Sequence, residues 1–314
     1  MPRIIECIPN FSEGRRLEII RAIADEISSV VSAKILDIHS DIDHNRSVIT
    51  YICDPEHVVE SGFRAYRKAA ELIDMTKHEG VHPRIGACDV FPMVPLEGVT
   101  IDEAIQLTNE LGKRVGKELQ IPVYLYESSA KSEERKNLAN IRRGQYEELT
   151  KTIAYDTSKT PDFGPAQMNL KAGATAIGVR GPLIAFNVFL DSQDKSIAKK
   201  IANAISESKG GFKFVKSLGF EIKSKNQVQV SMNFTDYRKT PLHRVFETIK
   251  SEADRYGVNI ASSEIVGLIP FDAAADIVNF YLRLTGFKKE KVIEERLGEA
   301  LKSSGVLEDK SKPY

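Results

Sequence analysis

The sequence has little that would mark it for a nucleic acid, a membrane or an oxidising compartment. Lys+Arg and Asp+Glu number 44 each, so the formal net charge is zero. That argues against a bulk electrostatic nucleic-acid binder, which would show a basic excess. No apolar run approaches the roughly 18 residues that a membrane span needs. The N-terminal residues lack the apolar stretch and small-residue cleavage site of a secretory signal. Cysteine is scarce: Cys7, Cys53 and Cys88 are odd in number and far apart. This fits reduced thiols in the cytoplasm better than a disulfide framework. Also missing are a Gly-x-Gly-x-x-Gly fingerprint, a phosphate loop and a Gly-x-Ser-x-Gly nucleophile elbow. The last absence disfavours a hydrolase of that type.

What is present is an ordinary globular mix, 42% hydrophobic and 28% charged. At roughly 100–200 residues per domain, the length allows two or three domains. Residues 3–8 read as a strand ended by Pro9. A helix follows over about 15–30, with Leu17, Ile20, Ala24, Ile27 and Val31 as one buried stripe. Residues 33–38 and 47–53 are β-rich and joined by a polar loop, 39–46. Asp54 caps a second helix with Pro55 at its first position; Val59, Phe63, Tyr66, Ala70 and Ile73 share one face. Residues 89–94 form the next strand, so the order is β-α-β-β-α-β. Then come a helix capped by Thr100 with Glu103 three residues on, a strand at 122–126, and a weakly patterned stretch over about 127–171.

The second half repeats the order. Strands are expected at 183–190, 212–222, 228–234 and 259–266. One helix is marked by Ile197, Ile201, Ala204 and Ile205. The other carries Leu242, Val245, Phe246, Ile249, Ala253 and Tyr256, with Thr240 as cap, Pro241 at its first position and Gly257 at its end. The fold class is therefore α/β (α+β), with two ferredoxin-like βαββαβ subdomains, 1–180 and 181–302, and a flexible tail at 303–314.

Several segments carry candidate chemistry. His78-Glu-Gly-Val-His82-Pro-Arg84-Ile-Gly86 lies between a helix and a strand, and its glycines and proline predict a fixed loop presenting His82 and Arg84. A histidine exchanges protons near neutral pH, and an arginine can hold a carboxylate with two prongs. The same residues also suit a turn that merely closes a loop. His39-Ser-Asp41-Ile-Asp43-His44-Asn45-Arg46 offers Asn45 and Arg46 for substrate contact, or is simply a polar connection. With His78 and His82 it provides enough donors for a metal, but the spacing is poor and no metal is expected. Asn10 faces a ligand at the strand's end, or Asn10 or Ser12 caps the following helix. Residues 161–173, fixed by two prolines and two glycines, either cradle an aromatic ring with Phe163 and Met168 or connect the subdomains. His57 and His243 sit in helices and read as ordinary boundary residues.

Six stretches stand together in order: residues 6–14, Asn45-Arg46, 82–86, 122–126, 161–165 and Ala185-Phe-Asn187. In this the chain resembles the glutamate formimidoyltransferase family, including the transferase part of formiminotransferase–cyclodeaminase, over about residues 3–300. The resemblance implies two α/β subdomains with a substrate cleft between them and a homodimer. It implies transfer of a formimidoyl group from N-formimidoyl-L-glutamate to N5 of tetrahydrofolate, a co-substrate, with no metal. Some relatives use formyl groups and N-formyl-L-glutamate instead. By resemblance His82 is the catalytic general acid/base. The folate-binding stretch maps onto Asp162, Phe163, Gly164, Pro165, Ala166, Gln167, Met168, Asn169, Leu170, Lys171, Ala172 and Gly173. Asn10, Asn45, Arg46, Arg84, Arg180 and Asn187 are expected to bind substrate. The cyclodeaminase activity is expected to be absent. His39 stands where mammalian relatives carry an acid, and Lys171 where they differ, so the fit of pterin or donor should differ. Two rival readings are a folate-binding protein without turnover and a metal-dependent amidohydrolase using His39, His44, His78 and His82.

Overall fold

Polar and apolar residues alternate along the strands, and this alternation builds the architecture. In the computed structural model, which describes residues 2–303, the first half runs β1 (Ile4–Cys7), β2 (Asn10–Phe11), α1 (Leu17–Ser28), β3 (Lys34–Asp41), β4 (Arg46–Cys53), α2 (Val58–Leu72) and β5 (Cys88–Glu97). β4 lies between β3 and β1–β2, and β5 flanks β1–β2 on the other side, all antiparallel. This is the ferredoxin-like order. After α3 (Ile101–Glu118) come β6 (Val123–Glu127), α4 (Leu138–Ile141), α5 (Gln145–Thr152) and β7 (Thr175–Val179). β7 joins β5 and β6 joins β7, both in parallel, which completes a seven-stranded sheet.

The second half runs β8 (Ile184–Leu190), α6 (Lys195–Ile205), β9 (Val215–Ile222), β10 (Gln227–Phe234), α7 (Leu242–Arg255) and β11 (Ile260–Val266). Its four strands are ordered β11-β8-β10-β9, again ferredoxin-like and wholly antiparallel. Two helices that the sequence pattern did not announce, α8 (Phe271–Leu282) and α9 (Ile293–Ser303), follow. Ser303 thus ends a helix, and the remainder of the expected tail, 304–314, lies outside the described residues.

Each sheet turns its apolar alternates toward helices. Ile5, Cys7, Ile49, Tyr51, Phe91 and Met93 enter the first core, and Ile184, Phe186, Val188, Val230, Met232 and Phe234 the second. The intervening residues, Glu6, Arg46, Val48, Thr50 and Pro92 from one sheet and Ala185, Asn187, Ser231 and Asn233 from the other, line one shared cavity of about 1470 Å³. A strand projects successive side chains to opposite faces, so the helices cover the outer faces while the two inner faces, which mix polar and apolar side chains, meet across a cavity.

Several local expectations are corrected. Leu17 and Val31 are 45% and 87% exposed; the stripe of α1 is Ile19, Ile20, Ile23, Ala24 and Ile27. The loop expected at 39–46 is half strand: β3 runs to Asp41 and β4 starts at Arg46, which leaves only the turn 42–45. Asp54 caps a turn through the His57 amide, and α2 proper begins at Val58. The Thr240 hydroxyl donates to the Lys213 carbonyl rather than capping α7, whose cap position is Pro241. Thr100 does accept the Glu103 amide.

Candidate functional site

The cavity holds His82, and local geometry sets its protonation. The His82 Nδ1 lies 2.8 Å from the Pro83 carbonyl oxygen. A carbonyl only accepts, so Nδ1 carries the proton and Nε2 the lone pair. No described residue bonds Nε2. Burial pushes the imidazole well below its usual 6.5, and the charges of Arg46 and Arg142 add to the effect. A neutral ring with a bare Nε2 facing a cavity is a proton acceptor.

His82 is held by a second histidine and by the other subdomain. The His44 ring lies 5.7 Å from it, and Phe220 of β9 stacks on His82 at 6.2 Å and meets His44 edge-on at 4.9 Å. His44 Nε2 reaches Gln229 Oε1 of β10 at 3.0 Å. Burial lowers the His44 pKa as well. Nearby, Asp43 accepts the Ser224 amide at 3.1 Å and its hydroxyl. The turn between β3 and β4 thereby pins the two sheets to one another. Gly80 explains how that turn is seated: a Cβ there would lie 2.3 Å from the His44 carbonyl oxygen. Only glycine allows so close an approach.

A buried charge cluster stands beside the histidine. Asp89 is fully buried and accepts from Arg46 Nη1 at 2.8 Å, from Arg142 Nη2, and from the Ile85 amide at 2.9 Å. Burial raises the carboxyl, but Arg142 and Arg46 outweigh it and hold it below the ordinary range. Arg46 also donates to Asn10 Oδ1 through Nε and Nη2, at 3.1 and 2.9 Å. Burial pushes its pKa down to about 10. Farther along the cavity Glu6 is raised by burial, a shift that Arg180 eases.

The structure therefore divides the expected site residues. His82, Asn10, Arg46, Arg180 and Asn187 line the cavity, together with His39, Asp41 and His44. Asn187 is held by Glu264 at 2.9 Å. Asn45 does not line it. Its side chain accepts the Gly14 amide and donates to the Glu79 carbonyl, and its carbonyl accepts from His78 Nε2. Its positive φ of 46° belongs to the tight turn. Arg84 is likewise committed elsewhere. It forks onto Glu147 of α5 at 2.8 and 2.6 Å and bonds His78 Nδ1 at 3.1 Å. It fastens its loop to α5 through Glu147, an arrangement that fits the loop-closing alternative.

None of Asp162 to Gly173 lines the cavity either. Phe163 packs against Gly112 of α3, on the helical side of the sheet. Asp162 binds Arg135 and the Leu125 amide; Lys171 donates to the Glu71 carbonyl; Gly173 bridges Gly86. Gly164 and Gly173 have φ of 83° and 74°. The prolines and glycines shape a connector that crosses the sheet's edge. Sequence reading missed Arg142, Gln229 and Phe220 as site residues. Arg142 sits in the weakly patterned stretch and carried no signal. The polar alternates 229, 231 and 233 of β10 did carry one, because a central strand should not waste a face. Among the described residues, no group of three or more His, Cys, Asp or Glu is arranged to hold a metal ion.

Residues 4–180 match the family described as formiminotransferase domain, N-terminal subdomain, and residues 185–306 match the formiminotransferase domain. The chain is 49% identical over 299 residues to a glutamate formimidoyltransferase of Thermoplasma acidophilum, covering 95% of this chain and 98% of that one. It is 43% identical over 295 residues to a glutamate formimidoyltransferase of Streptococcus pyogenes serotype M1, covering 94% and 98%. A formimidoyltransferase-cyclodeaminase of Dictyostelium discoideum is 40% identical over 288 residues, 90% of this chain and 53% of its own length.

Proposed function

The chain belongs to the formiminotransferase family, and from that premise we propose that it carries a formimidoyl group from N-formimidoyl-L-glutamate to N5 of tetrahydrofolate within the cavity between its sheets. It is an enzyme, a one-carbon group transferase of the glutamate formimidoyltransferase type. Residues 1–180 supply the proton-transfer group and residues 181–302 the opposite wall.

The observation that supports this reading most is the His82–Pro83 hydrogen bond. When the acceptor's N5 attacks the amidine carbon, that nitrogen must shed a proton and the departing glutamate nitrogen must gain one. His82 Nε2 is unprotonated, faces the cavity and is oriented by its own backbone neighbour, so it can take the first proton and return it to the leaving nitrogen. General acid–base catalysis of this kind is worth roughly 10²–10⁴-fold. Enclosing both reactants contributes at least as much, because the encounter becomes intramolecular. Both substrates bear carboxylates, and Arg46, Arg142 and Arg180 stand on the cavity lining to meet them.

The test is a turnover assay with tetrahydrofolate and, in parallel, N-formimidoyl- and N-formyl-L-glutamate. Transfer from the formimidoyl donor, unchanged after chelation, is the expected result. Donor hydrolysis without the acceptor, lost on chelation, would establish the amidohydrolase reading instead. Folate binding without turnover on either donor would leave a binding protein.

A further inference from the structure

Asp89 carries one negative charge and accepts from two guanidiniums, Arg46 and Arg142. The cluster therefore keeps one net positive charge next to His82. Each of the three nitrogens of Arg46 has a partner, Asp89 once and Asn10 twice. Arg142 differs: its Nε is buried and lacks a hydrogen-bond partner. Its side chain is 15% exposed and lines the cavity. A buried guanidinium donor without an acceptor is costly, and the natural acceptor is a carboxylate held in a two-pronged fork.

We propose that Arg142, held by Asp89 beside Arg46, is the anchor for the α-carboxylate of the glutamate donor. This rests on the transferase reading above. Covalent chemistry chooses between the carboxylates on offer. In the donor, the α-carboxylate is attached to the carbon that bears the reacting nitrogen, so it must lie within a few ångströms of the group that exchanges protons there. The carboxylates of the folate tail are separated from N5 by the pterin's methylene and a p-aminobenzoyl ring, and cannot reach a cation beside His82. Arg46, Arg142 and His82 line the same cavity, so the cluster and the proton-exchanging ring face one bound donor. Arg142 would also bring selectivity, since the fork rejects an amide in place of the carboxylate.

The experiment compares L-glutamate with L-isoglutamine, its α-amide, as ligands of the whole chain by calorimetry and as inhibitors of transfer. The wild type should prefer glutamate by about ten- to a hundredfold, the range for a hydrogen bond to a charged group. Arg142→Met should erase that preference and raise the Michaelis constant for the donor, leaving that for tetrahydrofolate unchanged. Arg142→Lys should restore part of it. Arg143→Ala, an exposed neighbour bonded to Asn140, should change nothing. An undiminished preference in Arg142→Met would overturn the proposal. So would an equal weakening of both ligands, which would mean that Arg142 only shapes the cavity. Asp89 keeps Arg46 and the Ile85 amide in the Met variant, and a melting curve checks that the fold survives. Calorimetry needs no turnover, so a chain inactive on both donors yet selective for glutamate would sink the transferase reading and keep the anchor.

Discussion

His82 and Gln229 sit in different subdomains, yet His44 links them: its ring lies 5.7 Å from that of His82, and its Nε2 bonds the Gln229 side chain at 3.0 Å. The loop that carries His82, just before β5, is thus tied to a strand of the other sheet, and the part this histidine plays can be tested from both sides.

Replacing His82 with Ala should lower kcat by about two to four orders of magnitude while the affinity for folate stays close to wild type. Asn at the same position should do no better, because an amide cannot carry the proton. A turnover number within a few-fold of wild type would remove His82 from the mechanism.

Burial keeps the imidazoles of His82, His44 and His78 below 6.5 in the fold. The acid limb of kcat/KM, which reports the free enzyme, should therefore fall well below pH 6.5. Stability follows the same sign. As pH drops below 6.5 the unfolded chain binds more protons than the fold, so stability is complete above that value and is lost on the way down to the folded pKa values. Denaturant midpoints measured across that window should decline; a flat profile would contradict the buried, neutral state.

Arg84→Met should leave both Michaelis constants unchanged and lower thermal stability. Arg84 is 6% exposed, but Glu147 is 58% exposed in its side chain, so solvent weakens the pair itself. A loss of about 1–2 kcal/mol is expected, chiefly from the bonds to His78 and its carbonyl. That corresponds to a melting temperature lower by about 2–8 °C. A raised constant for one substrate at unchanged stability would return Arg84 to the role of clamp.

Lys171→Ala removes an exposed side chain whose partner is the Glu71 carbonyl. The Michaelis constant for tetrahydrofolate should not change, because residues 162–173 lie outside the cavity. Phe163→Ala should instead destabilise, since its ring fills the space over Gly112. A several-fold rise in the folate constant for Lys171→Ala would show that this segment binds folate after all.

Much of the fold was legible because its signals are local. The period-two alternation of Val228, Val230, Met232 and Phe234 gave β10 and its buried face, and the spacing of Leu242, Val245, Ile249 and Ala253 gave α7. Errors fell at edges, as with Val31, where periodicity continued past the end of α1. Arg84 was legible as part of a fixed loop, whereas Asn45 was legible only as part of a polar connection or a substrate contact. Whether such a residue serves the turn or a ligand depends on what lies across from it, and Glu147 is 63 residues from Arg84 along the chain.

The sequence by itself determined the two βαββαβ units and which alternates of each strand are apolar, because secondary structure and burial are read from spacings of two to four residues. It also marked His82 as a presented histidine, through the flanking glycines and proline. The meeting of the two inner sheet faces was decided only by tertiary structure. So were the pairing of Arg46 and Arg142 on Asp89 and the closing of His44 against Gln229 and Phe220. Those contacts join residues 43 to 185 positions apart, and no local periodicity encodes a partner at that range. The cavity exists because the two sheets bury their wholly apolar faces outward under helices, leaving the mixed inner faces, whose polar groups need partners, to one another and to what binds between them.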